Sequence, residues 1–191
     1  MPTLFTHAVA PLLPGIAAGK NRISRSLLLA GTVAAVLPDI DVLSFRLGIP
    51  YAAALGHRGA IHSLLFGIGM AVLAALLHKH LRTNAARAFA FVGMAALSHP
   101  LLDMLTDGGL GVAIAWPLSE QRYFFPWHPI HVSPIGMRFF SAQAWTVIGS
   151  ELLWIWLPVS AFALIVWKWR IAIDRQHSQG VNPIPLPPDA P

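Results

Sequence analysis

The chain has 191 residues, 55% of them hydrophobic and 11% charged, with a formal charge of +5 and no cysteine. So apolar and sparsely charged a composition, with a mean hydropathy of +0.61, excludes an ordinary soluble domain. The absence of cysteine excludes disulfides and thiolate metal sites, so any metal must be held by His and carboxylate ligands.

A bilayer core of about 30 Å takes about 20 apolar helical residues. The first apolar stretch, residues 4–19, is short and is interrupted by Pro11 and Pro14. No Lys or Arg precedes Lys20, so the basic start of a signal peptide is missing and a retained first span is expected. Full-length spans are expected at 26–45, 60–78, 87–106 and 150–167. Residues 108–116, GGLGVAIAW, are too short to cross and read as a re-entrant or surface segment. They open a long loop over 107–149, which either covers the bundle as a lid or lies flat on the membrane. Residues 1–175 form one membrane domain, and the Pro-rich end, 176–191, reads as a disordered tail. The expected architecture is an all-α, polytopic membrane bundle of about five segments with a long extracytoplasmic loop.

The basic residues divide unevenly between the two sides. Lys20, Arg22 and Arg25, then Lys79, Arg82 and Arg87, then Lys168, Arg170 and Arg175 fall in alternate connections and the tail. Arg46, Arg58, Arg122 and Arg138 fall in the others. Short basic clusters of this kind are topology signals rather than a nucleic-acid surface, so no nucleic-acid partner is expected. They place the N-terminus outside and the C-terminus in the cytoplasm.

This assignment has a chemical consequence. His7 opens the first span, Asp39 and Asp41 close the second, His57 and His62 open the third, and His99, Asp103 and Asp107 close the fourth. All face the same, extracytoplasmic level. Charged groups cost about 2.5–3.5 kcal/mol each at a helix centre, so such a gathering needs partners or a function, and a metal ion supplies both.

In SHPLLDMLTDGG, His99 and Asp103 are four residues apart and share a helix face that Asp107 continues. Pro100 threatens that face, because proline disfavours helical geometry in the residue before it. In LPDIDVL the two carboxylates diverge on a regular helix, so both reach one site only where Pro38 loosens the backbone or the helix is ending. In HRGAIHS, Gly56 and Gly59 suggest a tight turn leading into the third span, with His62 in its first turn. Mixed His and Asp ligands favour a divalent ion of the zinc or manganese kind.

Taken singly, each residue has a bland explanation: a lone buried His is commonly a hydrogen-bonded structural residue, and a lone membrane Asp serves helix association or a proton path. His78 and His80 sit in a basic turn, and His177 in the tail. His128 and His131 fall in an aromatic, Pro-rich loop that reads as an interfacial belt with a possible substrate contact.

Four motifs, PDID, GHRGAIHSLL, LSHPLLDMLTDGG and WPLSEQRY, resemble in order and spacing those of a bacterial inner-membrane group described as membrane-bound metal-dependent hydrolases. The resemblance covers about residues 1–140. That group is distantly similar to zinc-dependent phospholipase C, whose all-helical site is built from His and Asp. The resemblance implies His7, Asp39, Asp41, His57, His62, His99 and Asp103 as site residues, with Asp107 at a less fixed position.

The expected function is hydrolysis of a phosphoester in a lipid or lipid-linked substrate. His7, Asp39, His57, His62, His99 and Asp103 would hold the metal. Asp41 or Asp107 would act as general base or orient a ligand imidazole, and Arg58 would meet the substrate phosphate or snorkel to the headgroups. Two other classes compete. A metal or proton transporter needs polar residues through the full membrane depth, whereas GIGMAVLAALL and AFAFVGMAA are apolar. A structural or lipid-binding protein would bind no stoichiometric metal. Oligomeric state is not legible.

Overall fold

The computed structural model describes residues 1–134 and 141–179, and the architecture of these residues is helical. In chain order the helices are α1 (Leu4–Ala18), α2 (Arg25–Val36), α3 (Leu43–Arg46), α4 (Leu64–Leu76), α5 (Ala85–Met104), α6 (Gln143–Glu151) and α7 (Leu157–Gln179). A 3-10 turn, Leu37–Val42, joins α2 to α3, a second, Ala60–His62, precedes α4, and a π-helical stretch, Leu152–Trp156, joins α6 to α7.

The helix starts are written in the sequence. Ser24, Ser63 and Asn84 cap α2, α4 and α5, their side chains accepting from the amides of Leu27, Phe66 and Arg87. Each cap satisfies an amide that the first turn leaves without a partner.

Among the described residues, three helical segments are long and apolar enough to cross a membrane: Arg25–Arg46, Ala85–Met104 and Gln143–Gln176. Leu4–Ala18 and Leu64–Leu76 are shorter. The third expected span therefore begins later than residue 60, because Gly59 and the 3-10 turn occupy its start. The last span begins earlier than expected, at Gln143 rather than 150, and at 34 residues it is about 51 Å long, well beyond the bilayer core. α7 also runs to Gln179, past the expected tail boundary at 176, while 180–191 and Arg138 lie outside the described residues.

Helices α2 and α4 both pack on α5, and α1 lies between α2 and α7. Lipid tails are as apolar as leucine, so membrane helices associate through close approach of small residues. The seam obeys this: Ala34, Ala74, Ala88 and Ala96 are buried with Leu27 and Val92. A Cβ on Gly93 would stand 3.0 Å from that of Ala71, and one on Gly31 would strike the Phe91 ring. Larger side chains such as Phe162, Ile165 and Trp169 turn outward.

This up-and-down packing brings the start of α1, the end of α2, the approach to α4 and the end of α5 to one end of the bundle. Residues 108–116 fold over that end rather than lying apart. Val112 pairs with Tyr123, the Ala113 amide donates to the Arg58 carbonyl, and the Leu64 amide donates to the carbonyl of Ile114. Val112, Ala113 and Ile130 are buried there.

Candidate metal centre

Each of the four stretches reaches the centre for a local reason. On α1, His7 is fixed by its neighbours: Glu151, only 2% exposed, accepts from the hydroxyls of Thr3 and Thr6 at 2.6 Å each. The Trp156 indole donates to Thr6 Oγ1 at 2.8 Å, so the π-helical joint also holds this turn. On α5, Pro100 does not break the helix, and His99 and Asp103 keep a common face, with Nε2 and Oδ2 3.8 Å apart.

The tighter 3-10 winding of Leu37–Val42 presents both carboxylates of PDID to the interior, Asp39 at 6% exposure and Asp41 at 8%. They do different things. Asp39 Oδ1 lies 3.5 Å from His99 Nε2, whereas Asp41 accepts from His57 Nδ1 at 2.5 Å and from the Arg58 amide at 2.9 Å. Asp41 Oδ2 also stands 3.1 Å from His62 Nδ1.

The HRGAIHS turn depends on its glycines. A Cβ at Gly56 would meet the carbonyls of Pro50 and Tyr51, and one at Gly59 the carbonyl of Ala54. Arg58 between them adopts a left-handed φ of 60°. Residues 56–60 are all buried, as irregular backbone at membrane depth must be. His62 lies in the 3-10 turn, one residue before the Ser63 cap, rather than inside α4 as expected.

Among the described residues, two groups of donor atoms are close enough to hold an ion: His7, His99 and Asp103, and Asp39, His62 and His99. Within each, the donors lie within 4.8 Å of one another. His99 belongs to both, but its Nδ1 donates to the Ala35 carbonyl at 2.7 Å, leaving one nitrogen for an ion. The two groups are therefore parts of one pocket rather than independent sites. That free Nε2 faces His62 Nε2 at 2.9 Å, and the His7 ring stacks on the His99 ring at 3.8 Å. Asp103 closes the pocket, 3.6 Å from His7 Nε2 and 3.2 Å from His62 Nε2.

The donor set fits a divalent cation. Both oxygens of Asp39 and of Asp103 and both ring nitrogens of His7 are buried without a hydrogen-bond partner. Unmatched buried polar atoms are costly, and buried carboxylates more so. Asp39, Asp41 and Asp103 gather three buried carboxylates beside the Arg58 guanidinium, a donor set rich in the oxygen ligands a divalent ion takes.

The other expected residues take different places. His57 reaches the centre only through Asp41, and Asp41 acts on His62 rather than joining either donor group. Arg58 is fully buried, with Nε 3.3 Å from Asp103 Oδ2. Its Nη1 donates to the Gly108 carbonyl at 2.8 Å and its Nη2 to Thr106 Oγ1 at 2.9 Å, so the guanidinium faces protein rather than headgroups. Asp107 sits apart from the pocket, accepting from His131 Nδ1 at 2.6 Å and from the Val132 amide at 2.8 Å. Burial acts to raise its carboxyl, but the Val132 N–H and His131 prevail and hold it below the ordinary 3.8.

Two important residues escape a reading of the sequence. Arg122, in the WPLSEQRY motif, donates to the carbonyls of His57 at 2.9 Å, Arg58 at 3.2 Å and Tyr51 at 3.0 Å, pinning the HRGAIHS turn from outside. Its presence in a motif was the available signal. Nothing in the sequence ties Glu151 to Thr3 and Thr6, 148 and 145 residues away.

The comparisons with known proteins agree with a membrane location. No solved structure matches the chain significantly. It is 42% identical over 172 residues to an Escherichia coli (strain K12) protein described as inner membrane protein YbcI, covering 89% of this chain and 99% of that one. The family model described as YdjM inner membrane protein matches residues 1–173. The chain is an inner membrane protein and belongs to the YdjM family.

Proposed function

We propose that the protein is a membrane-bound, metal-dependent hydrolase that cleaves a phosphoester of a lipid or lipid-linked substrate at the extracytoplasmic face. The observation that supports it most is the pair of imidazole nitrogens of His62 and His99, 2.9 Å apart, beside the Asp39 and Asp103 oxygens, which accept no hydrogen bond. His7, Asp39, His62, His99 and Asp103 would hold the ion, and their chemistry suits zinc, with manganese as the other candidate. A divalent ion supplies Lewis acidity, bringing the pKa of water to about 7 and polarising a phosphoryl oxygen.

The chain's own residues prepare for that chemistry. Asp41 orients His62 through Nδ1, leaving Nε2 for the pocket. Arg58 offsets the charge of Asp103 and ties it to Thr106 and Gly108. Asp107 and His131 form a half-exposed acid–base pair.

The test is metal analysis of the purified protein, followed by a screen of phospholipids and undecaprenyl-type phosphates. Phosphate or phosphomonoester release that requires Zn²⁺ or Mn²⁺ and disappears in Asp103→Ala supports the reading. A metal-loaded protein that turns over none of these substrates rejects it.

A further inference from the structure

The pocket is nearly sealed. His7, His62, His99 and Asp103 are all 0% exposed, whereas Asp39 and Asp41, on the 3-10 turn, retain a little accessible surface. A groove of about 510 Å³ borders the pocket at this turn, lined by Leu4 of α1, by Thr32, Val33 and Val36 of α2 and by Leu37 and Ile40 of the 3-10 turn, with Asp39 its sole ionisable residue. The Thr32 hydroxyl is taken up by the Leu28 carbonyl at 2.9 Å, so the wall is apolar in effect.

We propose that this groove is the berth of a lipid acyl chain, which carries its phosphate head to the centre sideways, out of the bilayer. The inference rests on the hydrolase reading above and names how its substrate enters. Three observations favour a lipid chain over other occupants. The groove runs along Arg25–Arg46, a segment apolar enough to cross a membrane. Leu4, Val33 and Ile40 on its walls are half exposed, and in a bilayer they face hydrocarbon rather than water. The groove also borders the candidate centre at Asp39, which lines the groove and belongs to one of the donor groups. A water-soluble substrate would gain nothing from such a wall, while a lipid anchored there holds its phosphoester near the donor cluster without crossing an aqueous route. The volume lies within the range of about 300–1,000 Å³ common for small-molecule sites.

The experiment uses full-length protein in vesicles containing phosphatidylglycerol with a photoreactive diazirine in its acyl chain. Illumination is expected to label the Thr32–Ile40 stretch above other lipid-facing helices. Val33→Trp, which fills the groove, is expected to abolish that labelling. Val72→Trp, equally lipid-facing on α4 but outside the groove, is expected to leave it intact. Metal content and thermal unfolding of both variants show that they are folded. Even labelling of all outward-facing helices overturns the proposal, as does unchanged labelling in folded Val33→Trp. Groove-specific labelling with no hydrolysis of any phosphoester supports the berth while rejecting the hydrolase reading, so the two failures are distinguishable.

Discussion

His62 and His99 face each other through Nε2 atoms 2.9 Å apart; behind them His99 Nδ1 donates to the Ala35 carbonyl, and Asp41 Oδ2 stands 3.1 Å from His62 Nδ1. At that distance the two nitrogens share one N–H as a hydrogen bond, and a cation beside them, bound by both, would take that proton's place. Removing either should therefore empty the pocket. Purified His99→Ala and His62→Ala are expected to lose metal by more than the 10- to 100-fold that residues orienting a ligand command, measured by elemental analysis and zinc titration. Metal content equal to that of the parent protein would contradict the assignment.

Asp41 makes a milder prediction. It orients a ligand without being one, so Asp41→Asn should weaken metal affinity about 10–100-fold yet reach the same stoichiometry at saturation. Titration with a competing chelator measures both quantities. A reduced stoichiometry at saturation would mean that Asp41 is itself a ligand.

Protons compete for the same nitrogens. Because imidazole must be unprotonated to bind a metal, binding is expected to release protons and to weaken as pH falls. Isothermal titration in buffers of different ionisation enthalpy counts them, and pH-independent affinity between pH 8 and 5 would exclude histidine ligation.

The glycine turn carries a stability prediction. Gly56→Ala and Gly59→Ala each press a methyl group onto backbone carbonyls that cannot move independently, at a cost of about 1–3 kcal/mol. Thermal unfolding in detergent should show both variants less stable, and Gly69→Ala, in open space on α4, close to unchanged.

Asp107 yields a pH dependence. Its carboxyl is held below 3.8, so its contribution is fully present above that value and is lost as pH falls through the folded one. The stability advantage of the parent over Asp107→Asn should be constant near neutrality and shrink in acid. An advantage undiminished in strong acid would mean the His131 and Val132 contacts do not depend on charge.

Much of this was legible in the sequence because membrane helices are read from length and apolarity alone, and alternating spans send alternate ends to one side. That placed His7, the PDID carboxylates, HRGAIHS and the HPLLD pair at one level. Roles within the cluster were not legible. Asp39 and Asp41 separate only through the 3-10 winding, and Arg58 turns inward because the Gly56–Gly59 turn forces it into a left-handed conformation. Nor did hydropathy reveal the short α4, since Ala60 and Ile61 continue its apolar run while belonging to another turn.

The central claim is that these residues hold a divalent ion. Elemental analysis of protein purified without chelators, repeated after zinc or manganese reconstitution, tests it most directly. Stoichiometric metal is expected in the parent protein, with its loss in folded His99→Ala. A folded parent protein that carries no metal and takes up none on titration would contradict it.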